Sequence, residues 1–155
     1  MFVLFISVSV RSQFVAPKIK ETVKVTMNLL QPIDTFFIER LTQTLYSTNK
    51  YTKDEIAKCI EKYKLFNVTI SKCDSNDVEV YVSLYETPMR NGDGCLKKNG
   101  YLYIFKGDIA SLFIQTKRQR NFTYTEYFGI IDLPEWRLIY NKRKKEFKIV
   151  DFSFN

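Results

Sequence analysis

The chain has 155 residues, of which 45% are hydrophobic and 26% are charged, and its formal net charge is +7. This composition excludes a disordered chain, and the length is enough to bury a core without a metal or a disulfide. The sequence contains no histidine, which excludes Ser-His-Asp and Cys-His catalysis and the histidine-containing zinc sites. The positive charge favours polyanionic partners, such as nucleic acid or acidic protein surfaces.

Two alternatives stay open for residues 1–13. The run FVLFISVSV is too short to span a bilayer, which needs about 20 residues. It is either the apolar part of a cleaved signal peptide or a first strand, because Ile6, Val8 and Val10 alternate with polar residues. The FISVSV core, with Ser-Gln at 12–13, resembles secretory leaders of Bacteroidetes-type bacteria, which slightly favours a periplasmic or secreted protein over a cytoplasmic one. Residues 14–155 are predicted to form a single α+β domain.

A short strand at 21–28 and two helices are predicted next. Pro32 suits the first position of a helix, since its missing N–H costs nothing there. Apolar residues then fall four apart along one stripe, which consists of Ile33, Phe37, Leu41 and Leu45. Thr52 and Glu55 form a T-x-x-E capping box, which predicts the start of the second helix. The apolar stripe of that helix consists of Ile56, Cys59, Ile60 and Tyr63.

From Leu65 onward the pattern changes to the two-residue period of strands. Residues 65–71 and 78–85 alternate between apolar and polar on either side of a tight turn, which predicts an antiparallel hairpin. A loop at 86–100 holds three of the five glycines, and its length suggests a functional role. Further strands are predicted at 101–105, 122–131, 136–141 and 146–154. Residues 109–115 fit either a short helix or a strand.

These elements predict an α+β fold, in which two helices pack on one face of a curved antiparallel sheet of about six strands. The terminal hairpin WRLIYNKRKKEFKIVDFSF resembles the last two strands of NTF2-like (cystatin-like) cone domains. That resemblance implies a cone-shaped sheet. The order of strand, two helices and meander also resembles Bet v 1-type helix-grip folds, although the long C-terminal helix of those folds is missing.

Basic and aromatic residues supply the candidate binding residues. Positive charges beside exposed aromatics are the pattern by which a sheet binds phosphates and stacks bases. Nine residues are candidates on this basis: Arg90, Lys97, Lys98, Lys117, Arg118, Arg120, Tyr124, Tyr127 and Trp136. A further basic run at 142–145 is expected to be a charged turn.

Cysteines and carboxylates are the other residues considered for chemistry. Cys73 and Cys95 lie at loop edges and are candidates for a disulfide in an oxidising compartment. The carboxylates at 74, 77, 93, 108, 132 and 135 fall at predicted turns, where short acidic side chains bond to nearby backbone. The sequence therefore predicts no catalytic residue, no metal site and no cofactor.

The leading hypothesis is a non-enzymatic binding domain that recognises a protein or a small ligand through a concave aromatic sheet face and the 86–100 loop. It follows from the missing catalytic groups and from the aromatic content of 15%. Two alternatives come from other classes: a nucleic-acid-binding or ribonucleoprotein-associated subunit, and a structural subunit that pairs through its edge strands. A protein is the favoured partner, no transmembrane segment is predicted, and the sequence leaves the oligomeric state open.

Overall fold

The computed structural model describes residues 20–48, 53–71, 76–127 and 133–154. These ranges contain two helices, α1 (Phe37–Tyr46) and α2 (Lys53–Tyr63). They also contain eight strands: β1 (Lys20–Pro32), β2 (Leu65–Ser71), β3 (Asp77–Leu84), β4 (Gly94–Lys98), β5 (Tyr101–Gly107), β6 (Phe113–Tyr127), β7 (Glu135–Asn141) and β8 (Glu146–Ser153). Neither helix in these ranges is long and apolar enough to cross a membrane.

The strands form one mixed sheet in the order β6-β1-β4-β5-β2-β3-β7-β8. β1 runs parallel to β4, and β2 runs parallel to β5, whereas every other neighbouring pair is antiparallel. The prediction of an antiparallel sheet of about six strands, with its NTF2-like cone, is therefore wrong. The sheet has eight strands because β4 lies within the predicted loop and β1 joins the sheet between β4 and β6.

The main core lies between the helices and one face of the sheet. Both predicted helices are present. Of their predicted apolar stripes, Phe37, Leu41 and Leu45 on α1 and Ile56 and Ile60 on α2 are buried. Ile33 is the exception, because it lies before α1 and is 56% exposed. The predicted hairpin of β2 and β3 is also present, with Val68 paired to Val82. Alternate side chains of β3, at 78, 80, 82 and 84, enter the same core. The opposite face of β2 and β3 carries mainly polar side chains.

A second, smaller core lies on the face away from the helices and consists of Met27, Cys95 and Ile104. Residues 85–93, here called the crossing segment, connect β3 to β4 across this face. Met89 packs against the small core. The Asn67 amide donates to the Thr87 carbonyl at 3.3 Å and accepts from the Met89 N–H at 3.2 Å. The first part of the predicted 86–100 loop is therefore held against the sheet.

Several sequence predictions differ from the structure at the ends of elements. Pro32 ends β1, opposite Phe113 of β6, and does not open α1. Residues 110–112 form a turn. β6 begins at Phe113, well before the predicted start at 122, and continues through it to Tyr127. Residues 1–13 lie outside the described residues, so the signal peptide and the first strand both stay predictions. The single domain at 14–155 also stays a prediction.

Candidate binding site on the open sheet face

The sheet face away from the helices, here called the open face, carries a pocket of about 310 Å³ over β2, β3, β7 and β8. Successive side chains of a strand point to opposite faces. Burial of Val82 and Trp136 in the core therefore directs their neighbours outward. Four strands supply two outward side chains each to this open-face pocket: Asn67, Thr69, Tyr81, Ser83, Glu135, Arg137, Asp151 and Ser153.

Strand register aligns these side chains in two rows across the four strands. One row consists of Asn67, Ser83, Glu135 and Ser153, and the other of Thr69, Tyr81, Arg137 and Asp151. Residues directly opposite each other in antiparallel strands have Cβ atoms about 4.5–5.5 Å apart, and diagonal neighbours lie about 7–8 Å apart. A ligand of modest size in the pocket can therefore contact several strands at once.

Arg137 is held in place at one side of the pocket. It forms an ion pair with Glu79, and its guanidinium carbon lies 5.9 Å from the centre of the Tyr81 ring. The Tyr81 hydroxyl donates to the same Glu79 carboxylate at 2.6 Å. The hydrogen bonds from Tyr81 and Arg137 hold the pKa of Glu79 below its usual value. Tyr81 is still 41% exposed, so part of its ring is accessible to a ligand.

Glu135 and Asp151 carry the negative charge that lines the pocket. Both are exposed, and neither forms an ion pair with another described residue. Asp151 lies opposite Arg137 in the register, but Arg137 is paired with Glu79 on the other side. One oxygen of Asp151 accepts a hydrogen bond from the Phe152 N–H at 2.9 Å. Neither carboxylate is paired with a cation of the described residues, so the other oxygen of Asp151 and the Glu135 carboxylate are available to a positively charged group.

Arg90 and Tyr124, two candidates from the sequence, fasten the crossing segment to β1 and β6. Arg90 forms ion pairs with Glu126 and with Glu21, the latter at 3.0 Å. Hydrogen bonds to Glu126 and Glu21 raise the pKa of Arg90. The Tyr124 hydroxyl donates to the Pro88 carbonyl at 2.8 Å. Both side chains have partners within the chain, which gives them a structural role.

Trp136, another sequence candidate, belongs to the main core. Its side chain is 2% exposed, and its ring centre lies 5.5 Å from that of Phe152. The indole N–H donates to the Thr48 hydroxyl oxygen at 2.6 Å. The ring is therefore not presented to a ligand.

The remaining candidates are spread over two strands. Lys97 and Lys98 lie on β4. Lys117, Arg118 and Arg120 lie on β6, and the first two fall where the register of β6 against β1 shifts, between Gln115 and Gln119. Tyr127 is the last residue of β6. The structure does not bring the nine candidate residues together into one site.

The predicted Cys73–Cys95 disulfide finds no support. Cys95 carries a free thiol that is fully buried in the small core, and burial raises the pKa of this thiol. Cys73 lies outside the described residues. Within the described ranges, no three Cys, Asp or Glu side chains lie close enough together to hold a metal ion.

The charged residues of the pocket are absent from the sequence candidates. They are Glu135, Arg137 and Asp151, and the exposed ring beside them is that of Tyr81. The available signal was strand alternation, which places Tyr81 and Arg137 on the polar faces of their strands. Strand order was the missing information, because only the order shows that β2, β3, β7 and β8 are neighbours.

Comparisons with known proteins give no relative: no protein family, no curated protein and no solved structure matches the chain.

Proposed function

We propose that this chain is a non-enzymatic binding domain that recognises a positively charged side chain of a protein partner through the open-face pocket. The observation that carries the proposal is the pair of exposed carboxylates, Glu135 and Asp151, beside the accessible ring of Tyr81. A lysine or arginine side chain matches this arrangement. Its charged end is attracted by carboxylates, and its aliphatic stem covers an aromatic surface.

The separation of the two carboxylates suits a single cation. Glu135 and Asp151 are diagonal neighbours on β7 and β8, which places these residues about 7–8 Å apart and their Cβ atoms somewhat closer. A cation placed between them is close to both carboxylates. Exposed ion pairs contribute only about 0.2–1 kcal/mol each, so one lysine side chain alone binds weakly. A protein partner adds contacts elsewhere on the open face, for example with Tyr85, which is 46% exposed.

The crossing segment has a supporting role in this proposal. Asn67 lines the pocket and also holds the backbone at Thr87 and Met89. The segment therefore borders the pocket at β2. Within the 86–100 region, the remaining residues form β4 and its tight turn to β5. The carboxylates of the pocket, and not the loop, carry the proposed recognition.

An NMR titration with two matched probes tests the proposal. Nα-acetyl-lysine methylamide carries the cation, and its Nε-acetylated analogue lacks it. We expect the cationic probe to shift backbone amides of β3, β7 and β8 and to bind about fivefold or more tightly than the neutral one. The double variant Glu135→Gln with Asp151→Asn should lose this preference. Glu39→Gln, an exposed carboxylate on α1, is the matched control and should keep it.

Two outcomes would overturn the proposal. One is equal binding of the cationic and neutral probes. The other is an unchanged preference for the cation in the double variant, with both variants folded as judged by circular dichroism.

One observation favours a second candidate, a nucleic-acid-binding subunit. β6 carries Lys117, Arg118 and Arg120 with no carboxylate before Glu126. The stacking part of that hypothesis is weaker, because Tyr124 is bonded to the crossing segment. Binding of single-stranded RNA across a salt series tests it. Replacing the three basic residues by Gln should weaken binding and flatten the salt dependence by about 0.7 per lost phosphate contact.

A structural subunit is the third candidate. β6 and β8 end the sheet order of the described residues, and edge strands can pair with a neighbouring chain. Sedimentation velocity over a concentration series tests this role, which a monomer at every concentration would contradict.

A further inference from the structure

A second cleft, of about 240 Å³, opens on the helix side of the sheet, between the start of α1 and the turn that joins β7 to β8. Its floor is apolar and buried, since Phe37, Leu112 and Tyr140 are 1%, 6% and 2% exposed. Lys142 and Lys145 form its rim on the side of the turn. We call this feature the lysine cleft. It is separate from the open-face pocket and shares no lining residue with it.

The one carboxylate that lines the lysine cleft is already occupied. Asp34 accepts hydrogen bonds from Arg40 at 3.2 Å, from the Tyr140 hydroxyl at 3.1 Å and from the Phe36 N–H at 3.0 Å. Burial alone would raise the pKa of Asp34. The hydrogen bonds from Phe36 and Tyr140 and the charges of Lys145 and Arg40 outweigh burial and lower it. Asp34 is therefore ionised at neutral pH, and Arg40 is its ion-pair partner.

The two lysines of the rim, Lys142 and Lys145, have no such ion-pair partner in the described ranges. The cleft joins an apolar floor to two lysine cations, and one of them, Lys145, also acts on the charge of Asp34. Such a concave site favours a ligand with an apolar body and one negative charge.

The turn that carries these lysines is well fixed. The Lys142 N–H donates to the Asn76 carbonyl at 2.8 Å, and the Lys145 N–H donates to the Asn141 carbonyl at 2.7 Å. The Asn141 side chain accepts from the Lys144 N–H at 2.7 Å. Binding therefore requires little ordering of the backbone, which is the condition for a preformed site.

Lys145 also adopts an unusual backbone conformation. Its φ is 57°, in the left-handed region that glycine adopts at lower cost than any residue with a Cβ. A lysine at such a position is an outlier of the kind found at ligand sites. Replacing it by glycine removes the charge and relieves the backbone at the same time.

We propose that the lysine cleft binds a small organic carboxylate. The apolar body of the ligand lies on Phe37 and Tyr140, and its carboxylate lies between Lys142 and Lys145. The cleft volume of 240 Å³ lies just below the range of about 300–1,000 Å³ for pockets that hold drug-sized ligands, which suits a smaller acid, on the order of ten heavy atoms. Phenylacetate has this size and is the first probe.

Titration of the full chain, followed by NMR, tests the proposal with phenylacetate and its uncharged isostere phenylacetamide. We expect phenylacetate to shift the amides around the β7–β8 turn and to bind about tenfold more tightly than the amide. Lys142→Gln with Lys145→Gln should reduce the affinity by about tenfold. Lys148→Gln, an exposed lysine on β8 outside the cleft, is the matched control and should change it by less than about twofold.

The variant Lys145→Gly separates loss of binding from loss of folding. It should bind phenylacetate more weakly while its resistance to urea stays equal or rises, because a strained residue is replaced by glycine. Equal binding of the acid and the amide would overturn the proposal, as would full affinity in the double variant. The absence of shifts at the cleft with phenylacetate, benzoate and hexanoate, each up to about 20 mM, would also overturn it.

Discussion

The buried hydrogen bond between Trp136 and Thr48 gives a sharp test of the main core. The Thr48 hydroxyl accepts the indole N–H of Trp136 at 2.6 Å and donates to the Leu45 carbonyl at 2.8 Å, and Thr48 is 2% exposed. Thr48→Val keeps the shape of the side chain but leaves the indole N–H buried without an acceptor. A buried donor without a partner costs about 1–3 kcal/mol. We expect the free energy of unfolding to fall by about 2 kcal/mol.

Urea denaturation followed by fluorescence measures this loss, because Trp136 is the only tryptophan in the chain. For a urea m-value of about 2 kcal/mol/M, a loss of about 2 kcal/mol lowers the midpoint by about 1 M. Thr48→Ser keeps the hydroxyl and is the matched control, which should lose less than half as much. In a Trp136→Phe background, which lacks the donor, Thr48→Val should cost about 1 kcal/mol or less, measured by circular dichroism. An equal cost in both backgrounds would refute the role of the hydrogen bond.

Two further predictions concern the sheet. Burial raises the pKa of Tyr103 to about 12 from 10.0, so its contribution to stability is complete below pH 10 and is lost as the pH rises through 12. The Tyr103→Phe variant should therefore lose less unfolding free energy between pH 10 and pH 12 than the unsubstituted protein. Urea titrations at the two pH values measure this loss, and an equal loss in both proteins would contradict the assignment. Gly107→Ala should cost more than about 2 kcal/mol, because the new Cβ would lie 2.1 Å from the Ile70 carbonyl oxygen. Gly100→Ala, also at positive φ but with open space around it, should cost about 1–2 kcal/mol. Equal losses of unfolding free energy in the two variants would contradict a steric clash at Gly107.

Local patterns of apolar and polar residues correctly predict the helices and the β2–β3 hairpin. Both depend on contacts between residues close in the chain, such as the four-residue spacing from Phe37 to Leu45. The parallel pairs β1–β4 and β2–β5 join segments far apart in sequence, and periodicity carries no information about such partners. β4, with only five residues, is also too short to show a clear alternation.

The candidate site was harder to predict than the fold. Residue type alone makes Trp136 and Tyr124 candidate binding residues, yet the ring of Trp136 fills the core and the Tyr124 hydroxyl is bonded to Pro88. Glu135 stands at the junction of a turn and a strand, where turn chemistry explains an acidic residue equally well. Asp151 can be assigned to the pocket only from the pairing of β8 with β7, because this pairing places it in the same pocket as Glu135.

The position of the open-face pocket follows from what covers the rest of the sheet. The helices cover one face, and the crossing segment covers the other face at the small core near β4 and β5. Asn67 marks the border, because its amide holds the crossing segment while its side chain also lines the pocket. Beyond this border, β3, β7 and β8 present polar rows that no described segment covers. A ligand-binding surface is therefore expected on this part of the sheet, where Tyr81 and the two carboxylates lie.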